Sequence, residues 1–214
     1  MAFRKYDTCF FERYAMMSLQ TLLGHKFDDL VNEDRPDLQS ADHKRLGIEV
    51  TRAMEGGKSG AQQMLKTLAG ITPRNDEEKR ILATGYSFGL SSGKFVGGIE
   101  LGYWKTAKSL KDIIRSKVSK VSSGFYGEFD EFGLYVFSKD PMTEEQVEGA
   151  VRFTMDLQKD LDVKYRRLFI CESDALYACN LEDDIAFEYR VSTYQISQQM
   201  KKEFYLRSLN LKED

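Results

Sequence analysis

Histidine, cysteine and long apolar runs are scarce in this chain, and each scarcity removes a class of chemistry. Two histidines in 214 residues, His25 and His43, are too few for a histidine-rich metal site. The three cysteines, Cys9, Cys171 and Cys179, are odd in number and match no zinc spacing. Free thiols in a reducing compartment are therefore expected. The longest uncharged stretch, residues 81–93, is short and rich in glycine and serine, so a membrane span is not expected. Arg4, Lys5, Asp7, Glu12 and Arg13 interrupt the first residues, which argues against a secretory leader and for a cytoplasmic location. Charge of one sign is also lacking. With 31 Lys and Arg against 34 Asp and Glu, the net charge is −3, so a polyanion would have to meet a local basic patch.

Several nucleotide and hydrolase motifs are absent. GLSSGKF (89–95) has only three residues between Gly89 and Gly93, and Phe95 stands where a phosphate loop needs Ser or Thr for magnesium. No GxGxxG, HExxH or CxxC occurs. The acidic cluster Glu182, Asp183 and Asp184 reads as a solvated turn.

What is present has the balance of a soluble globular protein, with 42% hydrophobic and 30% charged residues. One domain over 1–214 accommodates the whole chain. Phe11, Ala15, Leu19 and Leu22 predict a helix over about 8–23. A polar stretch with Phe27, Leu30 and Val31 admits a short strand. Residues 35–40 and 46–54 predict two strands around the polar turn 41–45, because Ile48 and Val50 alternate with Glu49 and Thr51. After a loop at 55–60, helices are expected near 61–69 and from Asn75, whose spacing to Glu78 suits a capping box. Residues 85–103, with six glycines among aromatics, read as irregular structure or a twisted hairpin. An amphipathic helix at 104–121, a strand at 132–138 and a helix from Thr143–Gln146 to about 160 follow. Strands at 165–171 and 175–181 and a helix at 195–209 complete an α/β chain with a mixed sheet covered by helices.

The remaining chemistry lies in carboxylates. Phosphodiester cleavage calls for a cation that neutralises phosphate charge and generates hydroxide near neutral pH, and magnesium takes oxygen ligands, often one or two carboxylates. Asp37 and Glu49 sit on the two strands flanking the 41–45 turn and can come within reach of one cation. Glu12 lies in line with Ala15 and Leu19 on the core-facing stripe of the first helix, where a carboxylate is costly unless it is paired or binds metal. Near a helix start it can equally serve the helix dipole or an arginine.

These residues resemble the PD-(D/E)XK, or restriction-endonuclease-like, nuclease superfamily. The family carries a helix glutamate, an aspartate often preceded by proline, and an acidic residue two before a lysine, on an αβββαβ core. Here Glu12, Pro36-Asp37 and Glu49-Val50-Thr51 fall in that order over residues 8–54, with 104–138 resembling the second helix and last core strand. The resemblance implies a three-layer α/β/α fold with a central mixed sheet, an insertion at 55–103 and an extension over 139–214. It implies Mg2+ (or Mn2+) held by Asp37, Glu49 and the Val50 carbonyl, with Glu12 contributing directly or through water. DNA is the implied substrate, and a homodimer is compatible with it. Thr51 occupies the lysine position and can at best orient a water, since a hydroxyl cannot replace the charge. Lys58, Gln62 and Lys117 are candidate substitutes. Loss of the lysine also fits a non-catalytic module of this fold that binds nucleic acid or a protein partner. Lys108, Lys111 and Arg115, on one flank of the 104–121 helix, are the expected phosphate contacts, and Phe95, Tyr103 and Trp104 are candidate stacking residues. The bland alternatives are a solvated helix face and ordinary packing.

Overall fold

The computed structural model describes residues 10–53, 86–91, 94–99, 109–138, 141–186 and 190–208. Helix α1 (Phe10–Leu23) runs into a 3-10 turn (Gly24–Phe27). Strands β1 (Leu30–Asn32), β2 (Leu38–Ser40) and β3 (Leu46–Ala53) follow as an antiparallel meander. β4 (Tyr86–Ser91) and β5 (Lys94–Ile99) form a separate antiparallel hairpin, which agrees with the twisted-hairpin alternative. Then come α2 (Leu110–Ser122), β6 (Glu131–Ser138), α3 (Glu144–Gln158), β7 (Tyr165–Cys171), β8 (Ala175–Asn180), β9 (Val191–Gln195) and α4 (Gln198–Ser208). The helices expected near 61–69 and from Asn75 lie outside the described residues.

Seven strands make one mixed sheet in the order β1-β2-β3-β6-β7-β8-β9. Its centre, β3-β6-β7, is parallel, and both flanks are antiparallel. Parallel strands are stable where both faces are covered, and β6 shows why: Phe132 to Phe137 are all buried. Alternate β6 side chains enter two cores. Tyr135 and Phe137 pack with Phe11, Tyr14 and Leu19 of α1 and with Phe204 of α4. Leu134 and Val136 pack with Ile114 and Val118 of α2 and with Val147 and Val151 of α3. The molecule is thus a mixed α/β structure with a helix pair against each sheet face. Among the described residues, no helix is long and apolar enough to cross a membrane.

Local chemistry sets most boundaries. Ser109 Oγ accepts from the Asp112 N–H at 3.3 Å and starts α2. Thr143 and Gln146 form the reciprocal capping box that the sequence predicts for α3. Three expectations need correction. The strand expected over 35–40 is confined to Leu38–Ser40, because Arg35 has a φ of 65° and Pro36 has no N–H for a ladder. The stretch around Phe27 is a 3-10 turn, and the strand begins only at Leu30, because Phe27 is spent packing its ring on Phe169 at 5.8 Å. The last helix starts at Gln198 rather than 195, and β9 precedes it as an edge strand with mostly polar, exposed side chains that carry no hydrophobic alternation.

Gly47 controls the approach of the β1–β2 turn to β3. A Cβ there would lie 2.7 Å from Pro36 Cγ and 3.1 Å from the Phe129 ring. The proline ring cannot fold away, so Gly47→Ala is expected to cost about 1–3 kcal/mol through displacement of the Pro36-Asp37 segment. A urea titration of the variant should show the midpoint falling with the slope unchanged.

Candidate functional site

The strand β2 is only three residues long, and this shortness builds the site. Its register with β3 pairs Leu38 with Ile48 and Gln39 with Gly47. One more step sets Asp37 opposite Glu49, just beyond the end of β2. There the Val50 N–H, which a longer strand would have bonded, donates to Asp37 Oδ2 at 2.7 Å. The Asp37 carbonyl accepts from the Glu33 N–H at 3.0 Å and from Asn32 Nδ2 at 2.9 Å, so its backbone is held from two sides. The Asn32 amide also donates to Glu12 Oε2 at 2.9 Å and ties α1 to the same turn. Glu12, Asp37 and Glu49 are thereby brought to one end of the β2–β3 pair.

Glu49 is only 7% exposed and lies on the α2 side of the sheet. Its Oε1 takes a short hydrogen-bonded ion pair from Lys117 of α2, whose side chain is 16% exposed. Tyr165 of β7 donates its hydroxyl to the Lys117 carbonyl at 3.3 Å and fastens that helix turn to the sheet. The Tyr126 hydroxyl is buried next to Glu49 and Tyr165 without a hydrogen bond of standard geometry. Lys117 thus supplies the positive charge beside Glu49.

Electrostatics show how crowded the carboxylates are. Burial pushes the Asp37 carboxyl up from 3.8 to about 7, and Glu49 and Glu12 push the same way. The Val50 N–H and Lys117 pull it down and lose. Burial, followed by the charge of Glu49, likewise raises the Tyr126 hydroxyl. Tyr165 is raised by burial first and then by Tyr126 and Glu49. Like charges facing each other across a strand pair are unfavourable, and here Glu49 has Lys117 as its counter-charge while the Asp37 carboxyl is held towards its protonated form.

The expected three-carboxylate cradle needs correction. Among the described residues, no group of three or more His, Cys, Asp or Glu side chains is arranged to hold a metal ion. Glu12 is held by Asn32 instead of joining the Asp37–Glu49 pair as an equal ligand. Two hard-oxygen carboxylates, with water and phosphate completing the shell, still suit magnesium. The buried Tyr126 hydroxyl offers a further donor at the same place. Val50 contributes its N–H to Asp37, and Thr51 lies in β3 on the Glu49 side.

The basic flank of α2 is engaged with its own fold. Lys111 and Arg115 each sit 5.5 Å from the Phe153 ring centroid of α3, and Arg115 pairs with Asp112 at 2.8 Å. They behave as the solvated flank that covers apolar surface. Lys108, Lys58, Gln62, Tyr103 and Trp104 lie outside the described residues, as does the Phe95 side chain. Glu182 and Asp183 form the expected solvated turn, with Asp183 3.2 Å from Lys164. Asn32, Tyr126 and Tyr165 are site neighbours that no sequence motif marked.

No protein-family model, curated protein or solved structure matches this chain.

Proposed function

We propose that this chain is a restriction-endonuclease-like, divalent-metal-dependent nuclease acting on DNA. The observation that carries this reading is the juxtaposition of Asp37 and Glu49 across the end of the β2–β3 pair, with the Lys117 ammonium on Glu49. The order α1-β1-β2-β3-α2-β6, with β6 parallel to β3 and the hairpin inserted before α2, agrees with an αβββαβ core. A cation held by Asp37 and Glu49, with the Val50 carbonyl as a further ligand, would neutralise phosphate charge and supply hydroxide near neutral pH. Lys117 gives the positive charge that the motif otherwise lacks and yields Glu49 to the cation when it binds. Asn32 holds Glu12 and the Asp37 backbone in place.

The test is degradation of supercoiled plasmid, single-stranded DNA and RNA by the purified protein with Mg2+ or Mn2+. Wild type is expected to cut DNA, and Glu49→Gln is expected to lose about 100-fold or more while keeping its circular dichroism spectrum. A wild type that cuts none of these substrates with either metal would end the enzymatic reading. The Lys117–Glu49 ion pair would then favour the second reading, a nuclease-fold module that binds without cutting.

A further inference from the structure

We infer that Phe125, flanked by Arg35 and Lys120, is a stacking subsite for an unpaired base of single-stranded DNA beside the Asp37–Glu49 pair. This deepens the nuclease reading and rests on it. Phe125 is 47% exposed and, with Val163, is one of two exposed large hydrophobic residues among those described. Its exposure is built in. The loop after α2 is shaped by Gly124 and Gly127, whose φ values of +73° and +81° lie where glycine is favoured. The Phe125 N–H donates to the Lys120 carbonyl at 3.3 Å, and the Gly127 N–H to that of Gly124 at 3.2 Å. The ring is therefore held on a fixed turn. Its neighbour Tyr126 points inward to Glu49, and the two rings meet edge to face at 5.3 Å. One step along the chain separates the group beside the carboxylates from the ring that faces solvent.

Two cations lie over that ring, so a base stacks on it by displacing one of them, which then meets the adjoining phosphate. The Arg35 guanidinium carbon is 5.4 Å and Lys120 Nζ 4.9 Å from its centroid. Arg35 precedes Asp37 by two residues, and Lys120 follows Lys117, the partner of Glu49, by three, so both lie on segments that reach the Asp37–Glu49 pair. Asp34 is the acidic partner of Arg35, at 3.5 Å, and its side chain is itself exposed, so the pair yields readily to a phosphate. Glu33 and Glu128 are further exposed acids near the turn, so the basic contact is short and suits one or two phosphates. A lone ring on a loop can stack on a base only when that base is free of its duplex. Aromatic stacking with adjacent cations is the chemistry of single-strand contacts rather than of a duplex face.

Anisotropy of a fluorescein-labelled oligothymidylate, and of a duplex of equal length, tests this in EDTA, where cleavage is silent. Phe125→Ala is expected to weaken single-strand binding about tenfold with under about twofold effect on the duplex, and Phe125→Trp to retain it. Arg35→Ala with Lys120→Ala should reduce the salt slope on the single strand by about 1.4, the share of two phosphates. Unchanged single-strand binding by Phe125→Ala, equal losses on both probes, or no binding by wild type would each overturn the subsite. Plasmid cleavage in Mn2+ is scored separately. Cleavage without a Phe125 effect on binding removes the subsite and leaves the nuclease, whereas Phe125-dependent binding without cleavage removes the nuclease and leaves the subsite.

Discussion

Asp37→Asn is expected to make the metal-free protein more stable at about pH 8, by about 2–4 kcal/mol, while removing metal-dependent cleavage. The Asp37 carboxyl titrates at about 7 in the folded protein against an ordinary value of 3.8, chiefly because of burial and then of Glu49. The sign follows from proton counting. Between these two values the folded state holds a proton that the unfolded state has released, so stability falls as pH rises through that window and stays low above it. About three pH units correspond to at most about 4 kcal/mol. Asparagine keeps an oxygen for the Val50 N–H, which now meets Asp37 Oδ2, and turns a repelled oxygen into a donor toward Glu49. The gain should therefore be full above about pH 7, shrink on acidification and vanish near pH 4. In a chain of this length it amounts to a melting temperature rise on the order of 5–10 °C, read by calorimetry in EDTA. A difference that does not change with pH, or a less stable variant at about pH 8, would show that Asp37 carries no such burden. A residue kept at this cost is of the kind found at functional sites.

The parts of this site that were legible in the sequence are those built by short-range geometry. The alternation of Ile48 and Val50 with Glu49 and Thr51, and the tight turn at 41–45, were enough to set Asp37 opposite Glu49, although Asp37 falls one residue outside the strand expected to carry it. Thr143 and Gln146 announced their helix through a bond between backbone and side chain three residues apart. Lys117 could be named as a candidate but not chosen, because it lies 68 residues from Glu49 and meets it only when α2 packs on the β3–β6 pair. Asn32 was invisible for a different reason: an asparagine at the end of a marginal strand carries no periodic signal, and its role appears only when α1 arrives to share its amide. Tyr126 and Tyr165 come from a loop and from β7, so nothing local distinguishes them from ordinary core aromatics. The strand order, with β6 between β3 and β7, could not be read either, since it depends on which parallel neighbour buries each face. Arg115 and Lys111 gave a basic flank in the sequence but face Phe153 in the fold.

Lys117→Met should be the most damaging single change at the site when metal is withheld. Glu49, 7% exposed, would remain beside Asp37 without its ammonium partner, and breaking a buried pair from one side costs about 3–5 kcal/mol. The melting temperature in EDTA should fall on the order of 10 °C. Methionine preserves the stem of the lysine, so the loss reports charge rather than volume. Adding Glu49→Gln to Lys117→Met should recover most of it, because the double variant no longer buries an unpaired charge, and the coupling of the cycle measures the pair directly. Divalent metal separates the two functional readings. If Asp37 and Glu49 take a cation, Mn2+ will stabilise Lys117→Met more than wild type, since the ion no longer competes with an ammonium for Glu49, and stabilisation grows with the logarithm of metal concentration. Recovery in the double variant with no response of the single variant to metal would assign Lys117 and Glu49 to the architecture of the fold. That result would place the binding module ahead of the nuclease, because a salt bridge that no cation displaces leaves nothing to activate a water.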